Sequence, residues 1–134
     1  MTENEVTEQI IGSAIEVHRR IGPGLLESIY SECLAMELTL QGVRFEREVP
    51  VPIAYRGQRV AADLRIDLLV ERRIVVELKA VEKLLPVHDA QLLTYLRLTR
   101  HSVGLLINFN VPVLKNRLRR LVNHFPLRAS ASLR

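Results

Sequence analysis

Apolar residues first recur at three- and four-residue intervals along this chain and then, from Val43, at alternate positions. Ile10, Ile11, Ala14, Ile15 and His18 make the stripe of an amphipathic helix predicted over 6–21, which Gly22-Pro23-Gly24 ends. A second helix is predicted over 25–40, with Leu26, Ile29, Cys33, Met36 and Leu40 stepping along one face and Gly42 as its stop. The change to a period of two predicts strands. Val43, Phe45, Val49, Val51, Ile53 and Tyr55 alternate with polar residues up to a turn at Arg56-Gly57. Pro50 and Pro52 lack an N–H to give to a neighbour, so this strand belongs at a sheet edge.

The next strand is predicted over 58–70, with Leu64, Ile66, Leu68 and Val70 on one face and Asp63, Arg65 and Asp67 on the other. A turn at Glu71-Arg72-Arg73 leads into a strand over 74–81, and the two form an antiparallel hairpin. Pro86 opens a helix that reaches Thr99. The apolar run 103–107 reads as a buried strand. Around 115–122 the pattern fits either a helix, through Leu114, Leu118 and Leu121, or a short strand closing at Leu121-Val122. The order ααβββαβ, followed by this short basic element, predicts one α/β domain over 1–128 with a central mixed sheet flanked by helices. Residues 129–134 are expected to be a disordered tail.

With 134 residues the chain is long enough to bury a substantial core without staples. Its single cysteine, Cys33, and the lack of any Cys/His cluster argue against a disulfide framework or a zinc site. An acidic start and no long apolar run point to a cytoplasmic protein outside the membrane. The net charge of +4 is unevenly spread: no Asp or Glu follows Asp89, while eight Lys and Arg do, among them Lys115, Arg117, Arg119 and Arg120. Such an end is either a solvated surface or a footprint for a polyanion. With no Trp, contact with a duplex backbone fits better than a stacking platform for single strands.

The candidate chemistry lies in Glu77-Leu78-Lys79. Side chains two apart in a strand share a face, so Glu77 and Lys79 project together while Ile74, Val76, Leu78 and Ala80 project the other way. Asp67 comes from the preceding strand, and neighbouring strands lie only about 4.8 Å apart, within reach of one divalent ion. Two carboxylates with water and phosphate suit Mg²⁺, and a lysine beside them suits phosphodiester hydrolysis. The plain alternative is a set of cross-strand ion pairs with Arg65 or Asp67.

Gly24-Leu-Leu-Glu27-Ser-Ile-Tyr30 resembles the signature of the GxxExxY protein family, grouped with the PD-(D/E)XK nuclease superfamily. Asp67 to Glu71, Val76 to Glu82, Gln91 to Tyr95 and Gly104 to Phe109 also resemble its blocks, so the likeness covers nearly the whole chain. The resemblance implies a restriction-endonuclease-like fold. It implies that Asp67, Glu77 and the Leu78 carbonyl bind the metal, that Glu27 completes or orients that site, and that Lys79 positions or activates water. Gln91 and Tyr95 would contact substrate or support the active-site strand. The proline of the superfamily's name is absent, since Ile66 precedes Asp67.

Two functions follow as expectations. One is a Mg²⁺-dependent nuclease, with Mn²⁺ as substitute, acting on DNA rather than RNA and able to pair as a homodimer. The other is a nucleic-acid-binding or adaptor module that keeps the fold without turnover.

Overall fold

The computed structural model describes residues 1–116 and 118–124, with the side chain of Asn116 left aside. Arg117 and the expected tail at 129–134 lie outside the described residues. The chain opens with helix α1 (Glu3–Ile21), capped by Thr2 and Glu5, whose side chains and backbone N–H groups bond reciprocally. Helix α2 (Glu27–Leu40) follows. Then come strands β1 (Phe45–Pro50), β2 (Ala54–Tyr55), β3 (Gln58–Arg59), β4 (Arg65–Val70) and β5 (Ile74–Lys79), helix α3 (Pro86–Thr99) and strand β6 (Val103–Asn108). A 3-10 turn at Leu114–Asn116 leads to β7 (Leu118–Val122).

Five strands form one mixed sheet in the order β1-β4-β5-β6-β7, in which only β5 and β6 run parallel. The α1/α2 hairpin covers one face and α3 the other. Ile10, Leu34 and Leu38 pack with Val76, Leu78 and Leu105 on the hairpin side, and Leu92, Tyr95 and Leu96 pack with Val75, Leu69 and Leu106 on the α3 side. Every residue of β6 is buried, as a central strand between two layers requires. There α3 comes so close that a Cβ on Gly104 would sit 2.9 Å from Leu92 Cδ1. No helix is long and apolar enough to cross a membrane.

The expected α/β architecture is present, with β1 at an edge, but four details differ. Leu64 and Ile66 pack on the α3 side while Leu68 and Val70 pack under the hairpin, so the single apolar face expected over 58–70 changes side at Asp67. The strand expected over 58–70 breaks, leaving β3 at its start and β4 at its end, while β2 and β3 pair separately around Arg56-Gly57. Both turn residues have left-handed φ, 51° and 81°, as a two-residue hairpin turn demands. The element near 115–122 resolves as strand β7, because β6, buried throughout, would otherwise leave one side of its backbone unpaired. On α2 the stripe of Leu26, Ile29, Met36 and Leu40 faces outward, and Tyr30, Leu34 and Leu38 make the core face. Both faces of this helix are apolar, so spacing alone does not say which one turns inward.

Gly24 and Tyr30 set the start of α2. Gly24 holds a φ of 96°, and the buried Tyr30 hydroxyl donates to the Gly22 carbonyl at 2.6 Å and accepts from Leu25 N–H at 3.2 Å. Its ring stacks on Phe109 with centroids 4.5 Å apart. The loop ahead of Glu27 is thereby tied to the core. Tyr30→Phe is expected to cost about 1–3 kcal/mol, since two backbone groups lose their partner. Urea unfolding measures this, and amide exchange should quicken at Leu25 first.

Candidate active site

The β4–β5 ladder ends at Leu68 opposite Val76. One step further the two acids take over from the backbone. Glu77 Oε2 accepts from Asp67 N–H at 2.9 Å, and Asp67 Oδ2 accepts from Leu78 N–H at 2.8 Å. Each carboxylate thus satisfies a backbone donor of the other strand where carbonyl pairing has stopped. Glu77 is 4% exposed and Asp67 is half-buried. Among the described residues neither forms a salt bridge, and the expected alternative of cross-strand pairing with Arg65 is not seen, since Arg65 bonds Asp63 instead.

Glu77 and Lys79 share the α3 face of β5, while Ile74, Val76, Leu78 and Ala80 join the core under the hairpin, as their alternation predicts. Lys79 Nζ donates to Gln91 Oε1 at 3.4 Å, and Gln91 Nε2 donates to Tyr95 Oη at 3.3 Å. Gln91 and Tyr95, one turn apart on α3, therefore brace the lysine. The Lys79 carbonyl accepts from Phe109 N–H on the β6 side. The neighbouring Leu78 carbonyl then faces β4, where the ladder has ended. Buried Asn108 ties the exit of β5: its amide oxygen accepts from Val81 N–H at 3.0 Å and its NH₂ donates to the Val81 carbonyl at 2.9 Å.

A cleft of about 270 Å³ opens at this end of the sheet, lined by Glu27, Ser28, Ser31, Arg47, Glu48, Asp67 and Leu78. Glu27 stands in the first turn of α2, exposed to the cleft. Glu48 was not anticipated from the sequence. It lies opposite Asp67, because the pairs Arg47–Leu68 and Val49–Ile66 bracket both, and its φ of 51° is left-handed. The only sequence cue was a carboxylate in an edge strand, and that becomes a cue only once the register is known.

Burial pushes the Asp67 carboxyl up to about 6 against the Leu78 N–H that favours its charged form, with the charges of Glu27 and Glu48 adding to the rise. Burial pushes Glu77 up further, to about 8, and the charge of Asp67 adds to it. Two adjacent carboxylates that resist ionising, both hard oxygen donors beside a free-facing carbonyl, make a donor set that fits a divalent cation of the Mg²⁺ kind. Asp67, Glu77 and Leu78 would hold it. Among the described residues no three His, Cys, Asp or Glu side chains stand close enough to share one ion, so Glu27 is at the cleft without closing a three-carboxylate cage.

The basic end is dispersed. Arg119 pairs with Asp89 on the α3 side, whereas Arg120 donates to Asn4 at 3.2 Å on the hairpin side. Lys115 is exposed in the 3-10 turn. Two of the four histidines have structural roles: His18 Nε2 donates to the Val111 carbonyl at 2.7 Å, and His88 Nδ1 accepts from Leu85 N–H at 2.9 Å at the start of α3.

The model of the PD-(D/E)XK nuclease superfamily matches residues 4–121, a span that includes every element described above except Glu3 at the start of α1 and Val122 at the end of β7. No curated protein and no solved structure matches the chain.

The raised carboxyls make a signed prediction for stability. In the folded, metal-free protein Asp67 and Glu77 hold protons that the unfolded chain releases at an ordinary carboxylate pKa. Folding is therefore favoured at low pH by this pair, and that contribution is lost as pH rises through about 6 and about 8. His101, whose pKa burial lowers, acts in the opposite sense below neutrality, so the comparison with a variant is the readout. In EDTA, melting temperature should fall between pH 6 and 8.5 more steeply for the wild type than for Glu77→Gln, by several degrees. Equal slopes in thermal melts would refute the account of raised carboxyls.

Proposed function

Because the chain belongs to the PD-(D/E)XK nuclease superfamily, whose members generally use divalent metal ions and act on nucleic acid, we propose that it is a Mg²⁺-dependent nuclease cleaving DNA in preference to RNA. The observation that carries this reading is the buried Asp67–Glu77 pair without a salt bridge, next to a lysine braced by Gln91. A largely buried pair of acids that makes no salt bridge among the described residues is costly unless protonated or ligated, even with the Lys79 charge nearby. Within the superfamily, Gly24, Glu27 and Tyr30 support a place among the GxxExxY proteins.

In this reading Asp67, Glu77 and the Leu78 carbonyl would hold the ion, and Glu27, on the wall of the same cleft, would orient that site. When bound, the ion supplies a water of lowered pKa and neutralises charge on the scissile phosphate. Lys79, held by Gln91 and behind it Tyr95, orients the attacking water and offsets the charge that grows on the phosphoryl oxygens. Lys115 contributes a phosphate contact, as does Arg119 once substrate competes with Asp89. Arg117 joins them only as a sequence-based proposal, and Arg120 faces the other side of the sheet. A homodimer would bring two such sites to the two strands of a duplex.

Incubation with supercoiled and linear DNA and with RNA in Mg²⁺ or Mn²⁺ tests the proposal. Cleavage of DNA is expected, abolished in EDTA and in Glu77→Ala, and reduced about 10- to 100-fold in Gln91→Ala with metal affinity retained. Binding of DNA without cleavage under every condition would instead favour a non-catalytic module with this fold.

A further inference from the structure

The β2–β3 ribbon leaves the sheet from the end that carries the acids. β5 and β6 run parallel and finish at Lys79 and Asn108, and β4 runs against β5, so its first residues, Arg65 to Asp67, lie at that same end. β1 pairs with β4 and ends there at Pro50. The intervening chain continues outward as an antiparallel arm, held by Val51 N–H to the Leu64 carbonyl and Val60 N–H to the Ile53 carbonyl, both 2.8 Å. It then pairs Ala54 with Arg59 and Tyr55 with Gln58 and turns at Arg56-Gly57. At about 3.3 Å per residue, the tip can stand up to roughly 20 Å beyond the sheet.

This arm has little to bury. Tyr55 is 68% exposed, and Arg56 and Arg59 are exposed, with no ion pair or hydrogen bond from either guanidinium among the described residues. From Pro50 to Ala62 there is no carboxylate. The β7 arginines differ: Arg119 and Arg120 are both engaged by neighbours. A cavity of about 660 Å³ against α1 and α2 is unsuited to phosphate, because Glu5, Glu8, Glu16 and Glu37 outnumber Arg20 in its lining.

We infer that the β2–β3 arm is a duplex-docking element, which lays a two-stranded ribbon into the major groove with Arg56 and Arg59 on the phosphates or base edges flanking it. A groove about 12 Å wide accepts such a ribbon. The arm is rooted on the strand that carries Asp67, so docking there sets the duplex against the cleft. This rests on the nuclease reading for its substrate, but contact is measurable without turnover.

Fluorescence anisotropy of a labelled duplex in EDTA, over a salt series, provides the test. Arg56→Ala/Arg59→Ala should weaken binding about tenfold or more at low salt and reduce the slope of log K against log salt by about 1.8, the loss of two phosphate contacts. Thermal melts should be unchanged, since both side chains lie in solvent. Unchanged affinity and slope in the double variant overturn the inference, as does a wild type that fails to bind duplex. Cleavage in Mg²⁺ by a variant with unchanged binding would leave the nuclease reading standing while removing the arm from it. Preference for single strands that is lost in Tyr55→Ala would also overturn groove docking.

Discussion

The structure turns on the exchange of hydrogen bonds between Asp67 and Glu77. A regular ladder would have continued past Leu68 and Val76 with backbone carbonyls. Two carboxylates accept instead from Asp67 N–H and Leu78 N–H, which places a pair of acids at the end of the largely apolar central strands. Burial raises the energy of ionising either one, and each disfavours the other's charge. A proton relieves that cost, and a bound divalent cation would relieve it as well. The same break in pairing frees the Leu78 carbonyl and opens the cleft beside it.

The surrounding elements hold this arrangement at fixed distance. Tyr30 and Gly24 anchor the loop that brings Glu27 to the cleft, Asn108 fastens the exit of β5 to β6, and α3 presents Gln91 to Lys79. The close approach of α3 to the sheet depends on Gly104, where Leu92 occupies the space a side chain would need. The geometry of the site is thus a property of three packed layers, with Glu27 drawn from the first turn of α2 and Gln91 from the second turn of α3.

Much of this was legible in the sequence. Alternation over 74–80 assigned Glu77 and Lys79 to one face and the apolar residues to the other, and the structure keeps that division. The prolines at 50 and 52 identified the edge strand. What was not legible depended on pairing across the chain. Glu48 meets Asp67 only through the β1–β4 register, and the β2–β3 arm separates from β4 because its residues find no sheet to bury against. The outward stripe of α2 was hidden for another reason: Tyr30, Leu34 and Leu38 are as apolar as Leu26, Met36 and Leu40, and only docking on the sheet chooses between them. The basic end read as one patch because the element over 115–122 fitted helix or strand alike, and only as a strand do the neighbours Arg119 and Arg120 point to opposite faces.

The central claim, that the Asp67–Glu77 pair is built to hold a divalent cation, is tested most directly by anomalous diffraction from crystals soaked in Mn²⁺. The account predicts a single anomalous peak between the two carboxylates and within bonding distance of the Leu78 carbonyl, absent from Glu77→Gln crystals. A site left without a peak at millimolar Mn²⁺, with the reciprocal hydrogen bonds intact, would contradict it.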